Sequence, residues 1–135
     1  MIGLDTNVLA RYLAQDDARQ AAVASRLIQN ELSTARPGFI SLVVLAELCW
    51  VLNRLYSATM DELMVTIEDL LNTPQFCIER REVVQAAIRR FKLGSSRKAG
   101  VVDALIAQIA DSEGCTTTLT FDKAAVRAAG MTLLA

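Results

Sequence analysis

The chain contains no histidine. That absence removes the usual general base, the commonest zinc ligand and every Ser-His or Cys-His nucleophile pair. Cysteine is sparse as well: Cys49, Cys77 and Cys115 are an odd number, far apart, with no Cys-x-x-Cys pair. Neither a disulfide framework nor a structural zinc site is suggested, and core packing is their expected role. Long apolar runs are missing too. The longest, Phe39 to Leu52, is broken by Ser41 and Glu47 and is too short to span a bilayer. No basic-then-apolar leader opens the chain, so the expectation is a soluble, cytoplasmic protein with no membrane association. Any chemistry must run on carboxylates, hydroxyls, amines or a bound metal.

What is present fits one domain over residues 1–135, large enough for a single core. Apolar residues make up 53% and mean hydropathy is +0.31, an excess that suggests an oligomer or partner interface. The net charge of -1 conceals an asymmetry. Between Arg80 and Lys98 stand seven cations and one anion, Glu82, whereas the rest carries seven cations and fourteen anions. A basic band on an acidic body can engage a polyanion there and repel it elsewhere; the alternative is a solvated helix face paired with acidic neighbours.

Strands and helices alternate along the chain. Ile2 to Leu4 reads as a buried strand that stops at Asp5-Thr6-Asn7 and resumes as a helix from Val8. From Asp16 a second helix is signalled, with Ala24, Leu27, Ile28 and Leu32 on one face, until Arg36-Pro37-Gly38 breaks it. Phe39-Ile40 is a strand, and Ser41 caps a helix over Leu42 to Leu55 that is apolar nearly all round. Thr59 and Glu62 form a capping box before Leu63, Ile67, Leu70 and Leu71. Phe76-Cys77-Ile78 is a short strand, and Glu82 to Leu93 an amphipathic helix with Val84, Ala87, Ile88 and Phe91 inward. The basic loop Gly94 to Gly100 lacks the spacing of a nucleotide phosphate loop. Val101 to Glu113 is helical with a core stripe of Val102, Leu105, Ile106 and Ile109. Thr116 to Thr120 and Met131 to Leu134 are strands flanking a helix from Lys123 to Ala129. This order predicts an α/β domain whose mostly parallel sheet is covered on both faces.

Of fifteen acids, eleven sit in polar or terminal surroundings, Asp16 and Glu79 among them. Four do not. Asp5 and Asp122 end strands, Glu47 has Val43, Val44, Trp50 and Val51 as helical neighbours, and Asp103 has Ala99, Gly100, Ile106 and Ala107. A carboxylate among apolar neighbours needs a compensating partner, so Glu47 is expected to have one. Asp5 and Asp122 could equally be helix caps. Carboxylates gathered without nitrogen ligands would suit Mg²⁺ or Mn²⁺, and such a metal can promote phosphodiester cleavage in a protein without histidine.

Four segments carry a resemblance. Leu4-Asp5-Thr6-Asn7-Val8-Leu9, Ser41 to Glu47, Asp103-Ala104-Leu105-Ile106-Ala107 and Thr118-Leu119-Thr120-Phe121-Asp122-Lys123, in that order, resemble the PIN-domain nucleases, most closely VapC-type toxins of toxin-antitoxin pairs. The resemblance covers Ile2 to Leu134. It implies a three-layer α/β/α sandwich around a central, mostly parallel five-stranded sheet. It implies a Mg²⁺- or Mn²⁺-dependent endoribonuclease, usually dimeric, held inactive by a cognate antitoxin. Asp5, Glu47 and Asp103 match the family's three main acids, Asp122 a fourth and more variable one, and Thr6 and Asn7 the polar positions after the first. Arg97 and Lys98 would guide the RNA backbone. Many relatives carry a further acid where this chain has Gly100, a departure that weakens the hold on a second metal. Two other classes stay open: a Mg²⁺-dependent phospho-acceptor domain with Asp5 as acceptor, and a non-catalytic RNA- or protein-binding relative whose acids are structural caps.

Overall fold

A computed structural model describes residues 1–94 and 100–135; the expected RNA-guiding pair Arg97 and Lys98 lies outside the described residues. The fold is α/β with parallel strands. Strand β1 (Ile2–Gly3) pairs with β2 (Gly38–Ile40), and β2 with β3 (Phe76–Ile78), both parallel, in the order β1-β2-β3. Ile2 lies opposite Gly38, and Gly38 opposite Phe76. Parallel pairing requires a crossover, and helical segments fill each one. Strands β4 (Leu119–Thr120) and β5 (Thr132–Leu133) form a separate parallel pair.

The expected single sheet of five strands is therefore corrected: among the described residues the strands form a three-stranded and a two-stranded sheet. The difference follows from composition. Central parallel strands are buried on both faces and read as continuous apolar runs. Phe76 and Ile78 are buried, as is Ile40, whereas Leu119 and both residues of β5 are exposed and alternate with threonine.

The described chain divides into two compact units. The first comprises Met1–Thr59 and Val65–Glu79. Here helix α1 (Thr6–Ala14) packs on α2 (Ala18–Arg26) and on α3 (Leu42–Tyr56). Leu9, Ile28, Ile40, Leu45 and Leu48 are fully enclosed, and each such side chain contributes about 1.5–3 kcal/mol. The face predicted after Asp16 changes register: α2 gives way to a π-helical turn, Leu27–Glu31, closed by the Leu32 N–H donating to the Leu27 carbonyl at 2.8 Å. Ala24, Ile28 and Leu32 are buried. Gly38 makes room for Leu4 and Leu32, because a Cβ there would stand 2.7 Å from the first and 2.8 Å from the second. Helix α3 starts on two caps: the Ser41 hydroxyl accepts from the Val44 N–H at 3.1 Å, and the Glu79 carboxylate from the Leu42 N–H at 2.8 Å.

The second unit comprises Met60–Met64 and Arg80–Ala135. Helix α4 (Met60–Leu71) contributes its first residues here and the remainder to the first unit. Helices α5 (Arg81–Leu93), α6 (Val101–Ser112) and α7 (Lys123–Ala129) pack on one another. Val84, Ala87, Ile88 and Phe91 are buried on α5 as expected, with Val83 beside them. The stripe on α6 is rotated from the expected one: Val101, Ala104, Leu105 and Ala107 are buried, and Ile106 is 48% exposed. Small side chains explain the rotation. Ala107 joins Ala125, Ala129 and Met131 in a cluster whose alanines permit close helix approach. Of the cysteines expected in the core, Cys49 is buried, Cys77 half-buried and Cys115 exposed; all three are free thiols. Among the described residues no helix is long and apolar enough to cross a membrane.

Candidate active-site residues

Asp5 follows β1 and begins α1, as its position after an apolar run predicts. Its backbone is extended, and its carboxylate accepts a hydrogen bond from the Thr6 N–H at 2.8 Å. The partial positive charge of a helix N-terminus favours an anion there. The Asp5 side chain is exposed, while Thr6 is only 5% exposed. The Thr6 hydroxyl is a buried group with no hydrogen-bond partner among the described residues. Asn7 lines a groove of about 310 Å³ together with Val8, Arg11, Arg19, Gln20, Val23 and Leu27.

Glu47 departs from its expected setting. The buried stripe of α3 is Leu45, Leu48, Cys49 and Leu52, and Glu47 stands on the opposite, exposed face with Val43, Trp50 and Arg54. Water solvates its carboxylate, so burial imposes no need for a partner. The reason is that α3 is apolar on both faces, and only one is covered.

Asp103 lies in the first turn of α6 and is partly buried. Its carboxylate turns back to accept from the Gly100 N–H at 2.9 Å. Asp122 caps α7, accepting from the Ala124 N–H at 2.9 Å, and its own N–H donates to the Thr120 hydroxyl at 3.0 Å. Asp5, Asp103 and Asp122 thus all hold helix starts.

Asp5 and Glu47 belong to the first unit, Asp103 and Asp122 to the second. Among the described residues, no group of three or more histidine, cysteine, aspartate or glutamate side chains is placed to hold a metal ion. In donor type the residues suit a hard divalent cation: carboxylates, a buried hydroxyl without a partner at Thr6, and no imidazole.

Two polar clusters carry no signal in the sequence. In the first unit the Asp16 carboxylate accepts from the Tyr56 hydroxyl at 2.5 Å and from Arg11 at 3.1 Å, and Arg11 also donates to Gln20 at 2.7 Å. The Tyr56 hydrogen bond, with Arg11 beside it, holds the Asp16 carboxyl below its ordinary range. The same bond raises the Tyr56 phenol, and Asp16 raises the Arg11 guanidinium. In the second unit Arg90 pairs with Asp111 and donates to the Ala129 carbonyl at 3.2 Å. Tyr56 is forty residues from Asp16, and Arg90 twenty-one from Asp111, separations no local pattern marks.

Among curated proteins the chain finds no match. PIN domains are typically nucleases and usually bind divalent metal ions. The PIN domain family model matches residues 2–131, from the strand that precedes Asp5 to the buried Met131 beyond α7, and on that extent the chain belongs to the PIN domain family.

Proposed function

We propose that this chain is a Mg²⁺- or Mn²⁺-dependent endoribonuclease, the toxin of a toxin-antitoxin pair, acting in the cytoplasm on RNA phosphodiesters. The observation that carries the reading is the PIN match over residues 2–131 in a chain that keeps Asp5, Glu47, Asp103 and Asp122 and has no histidine. Asp5 and Asp103 are the principal metal ligands, with Glu47 and Asp122 completing or orienting the set. A bound divalent ion supplies the positive charge that lets carboxylates stand ionised together and that phosphodiester hydrolysis draws on. Thr6 and Asn7 support Asp5 at the start of α1, and Arg97 and Lys98 guide the RNA backbone. The partners are the RNA substrate, a cognate antitoxin and a second copy of the chain.

The test is cleavage of RNA by purified protein in Mn²⁺. Wild type cuts, and Asp5→Asn and Asp103→Asn each lose about 10²-fold or more in rate while keeping their melting temperature. Equal rates in wild type and both variants would remove the proposal. One specific observation favours a second reading, a non-catalytic RNA- or protein-binding relative: Asp5, Asp103 and Asp122 are each engaged at a helix start. That reading requires no Mn²⁺-dependent rise in melting temperature.

A further inference from the structure

In the first unit, α1 and α2 form the walls of the half-open groove of about 310 Å³ that Asn7 lines. That volume stands at the lower end of the ~300–1,000 Å³ usual for small-molecule sites, and like them the groove is mostly apolar with a few polar groups. Val8 on one wall, and Val23 and Ala24 on the other, supply apolar surface. Asn7 and Gln20 supply one carboxamide each, and no carboxylate among the described residues lines the groove. Arg11 fixes the walls to each other: its Nε donates to the Gln20 carbonyl oxygen at 2.7 Å while its Nη1 donates to Asp16 at 3.1 Å. Arg11 is therefore a brace. Its bond takes only the acceptor of the Gln20 carboxamide, so the N–H donors of that group stay available. The Asn7 side chain is exposed and has no hydrogen-bond partner among the described residues, which leaves it both a donor and an acceptor to offer.

We propose that this groove seats one unstacked adenine base of the RNA substrate, with the Asn7 carboxamide pairing with the edge of that base. The inference rests on the ribonuclease reading for the identity of the ligand, and it adds a base preference which that reading does not contain. A carboxamide presents a donor and an acceptor side by side, the arrangement that pairs at two points with an adenine edge. Single-stranded RNA is read in this manner, by splayed bases whose hydrogen-bonding edges meet side chains. Position favours a nucleotide as well. Asn7 lies in the first turn of the helix that Asp5 caps, so a base held there belongs to a nucleotide next to the first proposed metal ligand. Size favours a base over a protein segment: a stable protein interface covers about 800 Å² on each partner, far more than a groove of this volume presents. An acidic amphipathic peptide is the competing occupant.

The experiment measures binding of short fluorescent single strands in EDTA, so that cleavage plays no part: an oligoadenylate, an oligouridylate and an abasic ribose-phosphate chain of equal length. The proteins are wild type, Asn7→Ala, and Asn30→Ala as a control that removes an exposed carboxamide outside the groove. A two-point pair between a carboxamide and its base is worth roughly tenfold in discrimination. Wild type is therefore expected to bind the oligoadenylate about tenfold more tightly than either other chain. Asn7→Ala should bind all three within about twofold of one another while keeping the wild-type melting temperature, and Asn30→Ala should keep the preference. Equal affinity of wild type for the three chains would overturn the inference, as would an Asn7→Ala protein that still prefers the oligoadenylate. So would an acidic amphipathic peptide whose binding, unlike that of the RNA, is lost in Asn7→Ala. A preference lost in Asn7→Ala alongside a wild type that never cuts in Mn²⁺ would uphold the groove and remove the nuclease reading. A preference kept in that variant alongside efficient wild-type cleavage would do the reverse.

Discussion

The Asp103 carboxylate and the Gly100 N–H are joined by a 2.9 Å hydrogen bond, so the acid we propose as a metal ligand also holds the first turn of its own helix. The two roles separate on substitution. Asparagine can accept the same hydrogen bond without the charge, whereas alanine can do neither. Asp103→Asn should keep stability within about 0.5 kcal/mol, and Asp103→Ala should lose about 1 kcal/mol. Both should abolish cleavage. Urea denaturation alongside a cleavage assay checks this, and an active Asp103→Asn would mean that capping is the only work this side chain does.

Glu79 reaches the first N–H of α3 from thirty-seven residues away. A charged acceptor at a helix N-terminus satisfies an otherwise orphaned donor and meets the positive end of the dipole. Glu79→Ala is expected to lower unfolding free energy by about 1–2 kcal/mol, with Glu79→Gln losing less than half as much. Chemical denaturation of the three proteins decides it; equal midpoints would show that Ser41 alone suffices as the cap.

The Tyr56 and Asp16 pair makes stability depend on pH at both ends of the scale. The Asp16 carboxyl is lowered in the folded state, so its contribution is complete above its unfolded value of about 4 and fades as pH falls through the lower folded value. The Tyr56 phenol is raised, so its contribution is complete below about 10 and fades as pH rises through the higher folded value. The stability difference between wild type and Tyr56→Phe should be constant near neutrality and shrink at both extremes. Denaturation midpoints collected from acid to alkaline pH give the answer, and a difference that ignores pH would break the link.

Burial pushes the Cys49 thiol up to about 12, whereas Cys115 is exposed. The thiolate is the reactive form, and at pH 8 a thiol at that value is almost wholly protonated. Alkylation at that pH should modify Cys115 in the folded protein and reach Cys49 only after global unfolding. Peptide mass mapping over time distinguishes the sites; early modification of Cys49 would show that α3 opens locally.

The order of elements was readable because each boundary is local chemistry. Asp5 and Ser41 cap helices where apolar strands stop, Asp122 caps a helix just past β4, and Pro37-Gly38 marks the entry to β2. What escaped was orientation and distance. Helix α3 is apolar on two faces, so periodicity could not say that Leu48 points inward and Glu47 outward. On α6 the larger side chains Ile106 and Ile109 suggested the core face beside Leu105, while Ala104 and Ala107 share that face with Val101 and Leu105. The Glu79 cap, the Tyr56 bond to Asp16 and the Arg90 pair with Asp111 all join residues far apart in the chain. Sequence spacing carries no trace of such pairs. The split of the strands into two sheets was hidden for a related reason, since two-residue strands leave their pairing to tertiary packing.

Calorimetric titration of Mn²⁺ into wild type, Asp5→Asn and Asp103→Asn is the most direct test of the shared-cation proposal. If carboxylates from both halves of the sequence serve one ion, wild type binds Mn²⁺ and each single variant loses at least about tenfold in affinity. A wild type that takes up no Mn²⁺, or binding that survives unchanged in either variant, would contradict it.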